Sequence, residues 1–485
     1  MNKELKRVSI VVLLMFIALF TSSSIIQVVA VDGLVANDRN TRTLYASFSA
    51  ERGPILVDGQ PIAYSVPSED EFSYLRTYAN GVLYAPVTGY FTLNQGSAGV
   101  EGALNDYLSG NSNAQFLDQL NSILTGKDPT GAAVELTIDG AVQQAAWDAL
   151  GNNTGAVVAL NPKTGEIIAM VSKTSYDPNI LASHDIPSVI ENYNALLADP
   201  TDPLFNRTIG GDLYPPGSVF KLVVTAAALE SGQFTPESEF PNPGSLQLPL
   251  SSNTITNSEG GSCGGTSTVT IATALRLSCN IPFAQLGVAL GERAIRETAE
   301  SFGFGSSFEV PMTTTASQYP GNGGDEAQLM LSSFGQANVR VTPLQIAMVS
   351  AAIANSGAVM EPTLIDSVLA PDLTVLEEFQ PVVYDTPMSS ATAATLTQMM
   401  VNGVTSGAAS NARISGVEVA GKTGTAENGS GEPYTLWFTG FAPANDPEVA
   451  IAVVVENGGG LGQGAFGNTV AAPIAKKVLE AVLNR

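Results

Sequence analysis

The sequence predicts an α+β protein: one antiparallel sheet with helices packed against it, preceded by a small mixed α/β module and one transmembrane helix. Three observations carry this expectation. Strand-like runs lie near both ends of the long C-terminal region with helical sequence between them, so the sheet must gather strands from distant parts of the chain. The turn-forming stretch Gly126-Lys127-Asp128-Pro129-Thr130-Gly131 separates that region from a shorter, more mixed one. Residues 8–31 are apolar almost throughout.

Taken in order, the first element is that apolar run. Lys3, Lys6 and Arg7 precede it, and Asp32 is the first charge after it. As a helix its roughly 24 residues reach about 36 Å, enough to cross a bilayer with some tilt. The basic flank predicts a cytoplasmic tail at residues 1–7, an anchor at 8–31 and everything beyond outside the membrane. The rival reading is a cleaved signal peptide, with its apolar region at residues 8–20 and a poor cleavage site at Val28-Val29-Ala30. No second apolar run is long enough to span.

Residues 32–131 form the mixed module. Residues 56–66 read as strand–turn–strand around Asp58-Gly59, and residues 82–93, rich in Tyr, Val and Thr, read as strand-like. The remainder, 132–485, opens with residues 134–138 and an amphipathic helix over 141–150. Two β-rich runs, 155–160 and 166–172, flank the hairpin signal Asn161-Pro162-Lys163-Thr164-Gly165. The middle, to about Asn355, reads as mostly helical. Strand character returns at 417–420, 436–441 and 449–456, and residues 471–483 read as a closing helix. The glycine-rich run 458–467 reads as a mobile loop near a cleft, since no strand–loop–helix with a lysine follows it as a phosphate cradle would require.

Composition narrows the function. Asp and Glu outnumber Lys and Arg by 45 to 21, and the net charge of −24 argues against a nucleic-acid partner. One histidine, His184, and two cysteines leave little for a metal site. His184, beside Asp185, reads as a surface loop residue without a role. Any catalysis should proceed without imidazole.

The chemistry begins at Tyr214-Pro215-Pro216-Gly217-Ser218-Val219-Phe220-Lys221. The two prolines stop an incoming helix, so a new one starts at about Gly217 or Ser218 and ends before Gly232. It is apolar nearly all round and should be buried, which is an odd place for a lysine. Lys221 lies one turn after Ser218 on the same face. Desolvation, and a second cation nearby, would disfavour its ammonium form. A neutral Lys221 could then take the Ser218 proton and activate the hydroxyl without histidine. The plain alternative is a serine N-cap with a lysine snorkelling to the surface.

Two further elements point the same way. Leu277-Ser278-Cys279-Asn280 offers a hydroxyl and an amide from one short turn, although Ser/Asn pairs mostly cap helices. Gly421-Lys422-Thr423-Gly424-Thr425 ends a strand in a lysine between small residues, with Gly424 permitting close approach of a ligand; alone it would read as an exposed turn. The ordered set S-x-x-K, S-x-N, K-T-G is the signature of penicillin-binding proteins and class A β-lactamases.

On these residues the chain resembles the class B penicillin-binding proteins, serine D,D-transpeptidases, and among them the actinobacterial penicillin-binding protein A type. Asn161-Pro162-Lys163-Thr164-Gly165-Glu166, Ser175-Tyr176-Asp177-Pro178-Asn179, Thr342-Pro343-Leu344-Gln345 and Trp437-Phe438-Thr439-Gly440-Phe441 look like its framework stretches, and Glu51-Arg52-Gly53-Pro54-Ile55 is similar to the start of its N-terminal module. The charged segment usual after that Arg-Gly is shortened here to Leu56-Val57-Asp58-Gly59. The middle residue of S-x-N, Cys279, is uncommon outside the penicillin-binding protein A type.

The resemblance implies a penicillin-binding transpeptidase domain at 132–485 in which Ser218 attacks a peptidoglycan stem peptide ending in D-Ala-D-Ala. It implies Lys221 as base, Ser278 and Lys422 in proton transfer, Asn280 on the peptide bond, and Thr423, Gly424 and Thr425 along the substrate. Backbone N–H groups of Ser218 and Thr425 would form the oxyanion hole, and β-lactams would acylate Ser218. No cofactor or metal is implied. The module at 32–131 would be a pedestal, or a dimerisation-like or docking surface for a polytopic cell-wall glycosyltransferase of the elongation or division machinery. A D,D-carboxypeptidase and a non-turnover β-lactam-binding scaffold share these motifs. A β-lactamase would need a deacylating glutamate that the sequence does not place. A second, glycosyltransferase domain would not fit in residues 32–131. Cys263 and Cys279, both external, are expected to pair across the S-x-N turn, the alternative being two small buried thiols.

Overall fold

The computed structural model describes residues 2–30, 48, 50–115, 130–211, 213–258, 260–320 and 324–484. The end of the expected span at Val31, residues 32–47 and most of the turn at 126–131 lie outside these residues.

Helix α1 (Asn2–Ser24) continues into one π-helical turn, Ile25–Val29. Within it Lys3–Gln27 has a mean hydropathy of 2.4, and the window that carries this value is not buried against the rest of the protein. By length and composition this helix is able to cross a membrane.

The mixed module follows. Strands β1 (Ile55–Val57) and β2 (Gln60–Pro67) form a tight hairpin, β2 pairs with β3 (Tyr74–Tyr78), and both pairings are antiparallel. Asp58 and Gly59 take φ of 52° and 69°, the left-handed pair that a two-residue turn needs to match strand twist. Residues 82–93, expected as strand, begin instead as helix α2 (Gly81–Thr88). Six of its eight residues are buried, a pattern that suits a helix enclosed on several sides better than a strand with one buried face. Pro86 inside α2 cannot donate to the Val82 carbonyl, and the Ser175 hydroxyl supplies that bond at 2.7 Å.

Beyond residue 131 come β4 (Ala133–Leu136), α3 (Gly140–Leu150), β5 (Gly155–Leu160) and β6 (Ile167–Lys173). Helices α4 (Lys221–Glu230), α5 (Ile271–Leu277), α6 (Ile281–Leu290) and α7 (Pro343–Ala354) fill the middle. The expectation of a mostly helical middle needs correction, because two exposed ribbons interrupt it. Glu239–Pro241 pairs with Thr268–Thr270, and Ser245–Gln247 with Thr254–Thr256. Each strand is three residues long with a single apolar residue at its centre, too short for an alternating pattern to announce it. The chain closes with β7 (Ile365–Leu369), β8 (Val375–Glu378), α8 (Ser390–Ser406), β9 (Ala420–Ala426), β10 (Thr435–Ala442), β11 (Val449–Val455) and α9 (Ala471–Leu483).

The expected antiparallel sheet runs in the order β9-β10-β11-β5-β6. Helices α3 and α9 cover one face and α7 the other. Every residue of β5 and β11 is buried, which explains why Val449-Ala450-Ile451-Ala452-Val453-Val454-Val455 is a continuous apolar run rather than an alternating one. A second sheet, not foreseen, has the order β8-β7-β4-β1-β2-β3. Its central pair β1/β4 is parallel and joins the module's strands to strands from beyond residue 131.

His184 also differs from expectation. Its side chain is only 11% exposed, its Nδ1 pairs with the Asp70 carboxylate, and its ring centroid lies 4.7 Å from that of Phe72. Packing on aromatic residues far away in sequence, rather than local loop character, decides its burial.

Arg52, part of the Glu51–Ile55 stretch, anchors a buried ion cluster. Its Nε donates to Glu101 Oε2 and Arg76 Nε donates to Glu101 Oε1, each at 2.6 Å, with all three side chains no more than 2% exposed. Burial opposes the Glu101 carboxylate, but the two guanidiniums, Arg76 foremost, outweigh it and hold the carboxyl below its usual range. Glu101→Gln leaves two guanidiniums short of a countercharge, and a loss of about 3–5 kcal/mol is expected. Denaturant unfolding of the protein without α1 checks this, and an unchanged midpoint would show the cluster to be dispensable.

Candidate active site

The segment 214–221 is fixed from three sides. Tyr214 forms a β-bridge with Val341, Trp437 Nε1 donates to Pro215 O at 3.0 Å, and Gly217 N donates to Gly335 O at 2.9 Å. Gly217 has φ of +54°, and a Cβ there would sit 3.0 Å from Thr425 O, so glycine is required for conformation and for space. Gly217–Phe220 form a 3₁₀ turn and α4 begins at Lys221, so the helix expected from Gly217 or Ser218 starts tighter than an α-helix. The junction keeps the one-turn spacing. Lys221 is wholly buried, and its Nζ lies 3.0 Å from Ser218 Oγ.

Ser278 and Asn280 occupy the connection between two helices. Ser278 caps the C-terminus of α5 in the left-handed region at φ 63°, and Asn280 precedes the first residue of α6. This turns the Ser278 carbonyl and the Asn280 amide oxygen onto Lys221 Nζ, at 2.9 and 2.8 Å. Asn280 Nδ2 donates to Thr256 O, and the buried Asn257 Oδ1 accepts from the backbone of both Asn280 and Ile281. Cys263 and Cys279 are joined in a disulfide with Cα atoms 5.9 Å apart, which ties the loop after the ribbon to the same turn.

The third contribution is the edge strand β9. Lys422 Nζ lies 2.7 Å from Ser278 Oγ and 2.7 Å from Thr423 O. A Cβ on Gly424 would stand 2.8 Å from Pro216 O, so its absence lets the strand approach the 214–221 turn. Thr425 lines the cleft and its Oγ1 accepts from Gly467 N. Thr423 sits further back, its hydroxyl donating to Ala408 O at 2.9 Å. The cleft holds about 560 Å³, and Ser218, Asn280, Thr425, Glu427, Tyr434 and Phe466 are among its lining residues.

All three predicted motifs therefore meet at one cleft. Sequence reasoning missed Asn257, which belongs to no motif, and Phe334 and Phe466, which supply apolar wall. The glycine-rich run does border the cleft, through Phe466 and through Gly467 beside Thr425.

The electrostatics follow from burial. Lys221 is held well below the usual lysine value, first by desolvation and then by Lys422. Desolvation brings Lys422 down to about 7. Neither amine has a carboxylate partner among the described residues. The rings of Phe283 and Phe334 lie 5.4 and 5.9 Å from Lys221 Nζ. An uncharged amine facing a serine hydroxyl can act as its base, and a lysine titrating near neutrality can both give and take a proton at Ser278.

This arrangement has clear relatives. Residues 155–480 match the penicillin-binding protein transpeptidase domain, and residues 52–134 match the penicillin-binding protein A dimerisation domain. The chain belongs to the penicillin-binding protein transpeptidase family. It is 41% identical to the peptidoglycan D,D-transpeptidase PbpA of Mycolicibacterium smegmatis, over 100% of this chain and 99% of that protein. It is 40% identical to PbpA of Mycobacterium tuberculosis H37Rv, with the same coverage. The structure of penicillin-binding protein A from M. tuberculosis as a ceftriaxone acyl-enzyme superposes with a TM-score of 0.87, at 40% identity, over 90% of this chain and 100% of that one. Its penicillin G acyl-enzyme gives 0.84 at the same identity and coverage.

The disulfide closes a loop of 16 residues, for which the chain-entropy argument gives about 3 kcal/mol. The double variant Cys263→Ser with Cys279→Ser is expected to lose about that much. Calorimetry under non-reducing conditions checks this, and equal melting of variant and parent would count against it.

Proposed function

We propose that the chain is a peptidoglycan D,D-transpeptidase that cross-links stem peptides through an acyl-enzyme on Ser218 and is blocked when β-lactams acylate the same serine. The observation that carries this reading is the wholly buried Lys221 amine 3.0 Å from Ser218 Oγ, disfavoured as a cation by burial and by Lys422. Relatives covering the full chain are D,D-transpeptidases, and a structural relative forms β-lactam acyl-enzymes.

Neutral Lys221 takes the Ser218 proton as Oγ attacks the carbonyl of the penultimate D-alanine. Backbone N–H groups of Ser218 and Thr425 hold the developing oxyanion. Asn280 steadies the substrate peptide bond, and Thr423, Gly424 and Thr425 border its terminal carboxylate. As the C–N bond breaks, the departing D-alanine amine takes a proton from Ser278 Oγ, which recovers one from Lys422 at 2.7 Å. Lys221 now carries one extra proton and Lys422 lacks one. The acceptor amine reverses the transfer: it attacks the ester, its proton goes through Ser278 to Lys422, and Lys221 returns a proton to Ser218. No imidazole or cofactor enters the cycle.

We also read α1 as an anchor with Lys3, Lys6 and Arg7 on the cytoplasmic side and the cleft outside, in line with the basic flank. The N-terminal module is the natural docking surface for a polytopic cell-wall glycosyltransferase.

Ser218→Ala is expected to lower labelling by a fluorescent penicillin at least about a thousandfold. With a synthetic D-Ala-D-Ala donor, D-alanine release should rise when an acceptor amine is added and the cross-linked product should appear. Release indifferent to acceptor, with no such product, would instead identify a carboxypeptidase.

Acylation needs Lys221 neutral and Lys422 charged, so its rate should follow a bell against pH. Below the lower limb Lys221 is protonated, and the upper limb falls near pH 7, where Lys422 loses its charge. Lys422→Arg stays charged and should remove the upper limb while slowing the reaction. Penicillin acylation rates from about pH 5 to about pH 9 check this, and an upper limb retained in the variant would assign it to another group.

A further inference from the structure

Behind the Ser278 turn the cleft has a second arm of about 410 Å³. Asn257 and Ser258 line both arms, so the two adjoin. The first arm reaches Ser218, Asn280 and Thr425. The second is walled by Ser262 and the disulfide-bonded Cys263 on one side and by Ser406, Ala408 and Ser410 on the other, with Leu277 between them. Leu277 adjoins Ser278, and Ala408 O receives the Thr423 hydroxyl. The second arm thus lies against the turn that carries Ser278 and the loop that holds Thr423, and Ser278 with Lys422 handles the amine in the reaction above.

We propose that the second arm binds the acceptor stem peptide, holding the chain that flanks its attacking amine. This rests on the transpeptidase reading. The argument is microscopic reversibility: the amine that attacks the ester retraces the path of the amine that left, so the acceptor is placed from the Ser278–Lys422 side. The acyl group stays in the first arm at that moment, where the departed D-alanine leaves room for the amine, and the adjoining arm supplies room for the longer acceptor chain beside the Ser278 turn. Among the described residues its lining offers hydroxyl, amide and backbone groups and no charged side chain, which suits an amide-bearing stretch of peptide.

Ser262→Trp and Ser406→Phe fill the arm from opposite walls without touching the residues assigned to the reaction. Ser262 and Ser406 are both exposed. Each variant is assayed with a D-Ala-D-Ala donor and either a peptide acceptor or glycinamide, which is too short to reach the arm. The expected result is a rise of at least about fivefold in the KM of the peptide acceptor. Penicillin acylation and glycinamide transfer should stay within about twofold of the parent. A peptide-acceptor KM that does not move overturns the assignment, as does a parallel loss with both acceptors. A parent protein that acylates with penicillin but transfers to neither acceptor overturns the transpeptidase reading, and this inference with it.

Discussion

Two buried lysines stand side by side without a carboxylate partner among the described residues, and the remainder of the site is organised around that constraint. A buried cation ordinarily draws in an acid, as the Arg52 and Arg76 guanidiniums do around Glu101. Around Lys221 the neighbours are a hydroxyl, a carbonyl and an amide oxygen, which can hold an uncharged amine without forcing it to keep a proton. Lys422 adds repulsion, so positive charge resides more readily on one amine than on both. In a strongly acidic protein, the two buried amines thus lack a carboxylate at salt-bridge distance among the described residues, although Glu427 lines the cleft itself.

Holding three distant segments this close depends on missing side chains and on local backbone strain. Gly217 and Gly424 allow the 214–221 turn and the edge strand to touch, and Ser278 accepts a left-handed conformation that few serines adopt. The Asn280 turn has little regular structure of its own and is gripped from outside, by the Asn257 side chain and by the disulfide.

Much of this was legible in the residues. The 449–455 run revealed its strand because a sheet covered on both faces removes alternation, and Lys221 stood out because the helix around it is apolar on every side. What escaped depends on contacts between residues far apart in the chain. The 81–88 helix owes its form to enclosure and to a hydroxyl from Ser175. The parallel β1/β4 pair links residues about eighty apart, for which no local pattern exists. Asn257 is an ordinary asparagine until its two backbone partners fold beside it. His184 does lie in a loop, but it looked like a surface residue because Phe72 and Asp70, which cover it, lie far from it in sequence.

The six-stranded sheet that spans the two regions has a mechanical meaning. Its β1/β4 ladder is short, with Ile55 opposite Val134 and Leu56 opposite Glu135, and a pull along the strands would load it in shear. A torque applied to the N-terminal module would accordingly pass through the shared sheet into the strands from beyond residue 131. The shared sheet suits the two regions to move together, as a lever that aims the cleft.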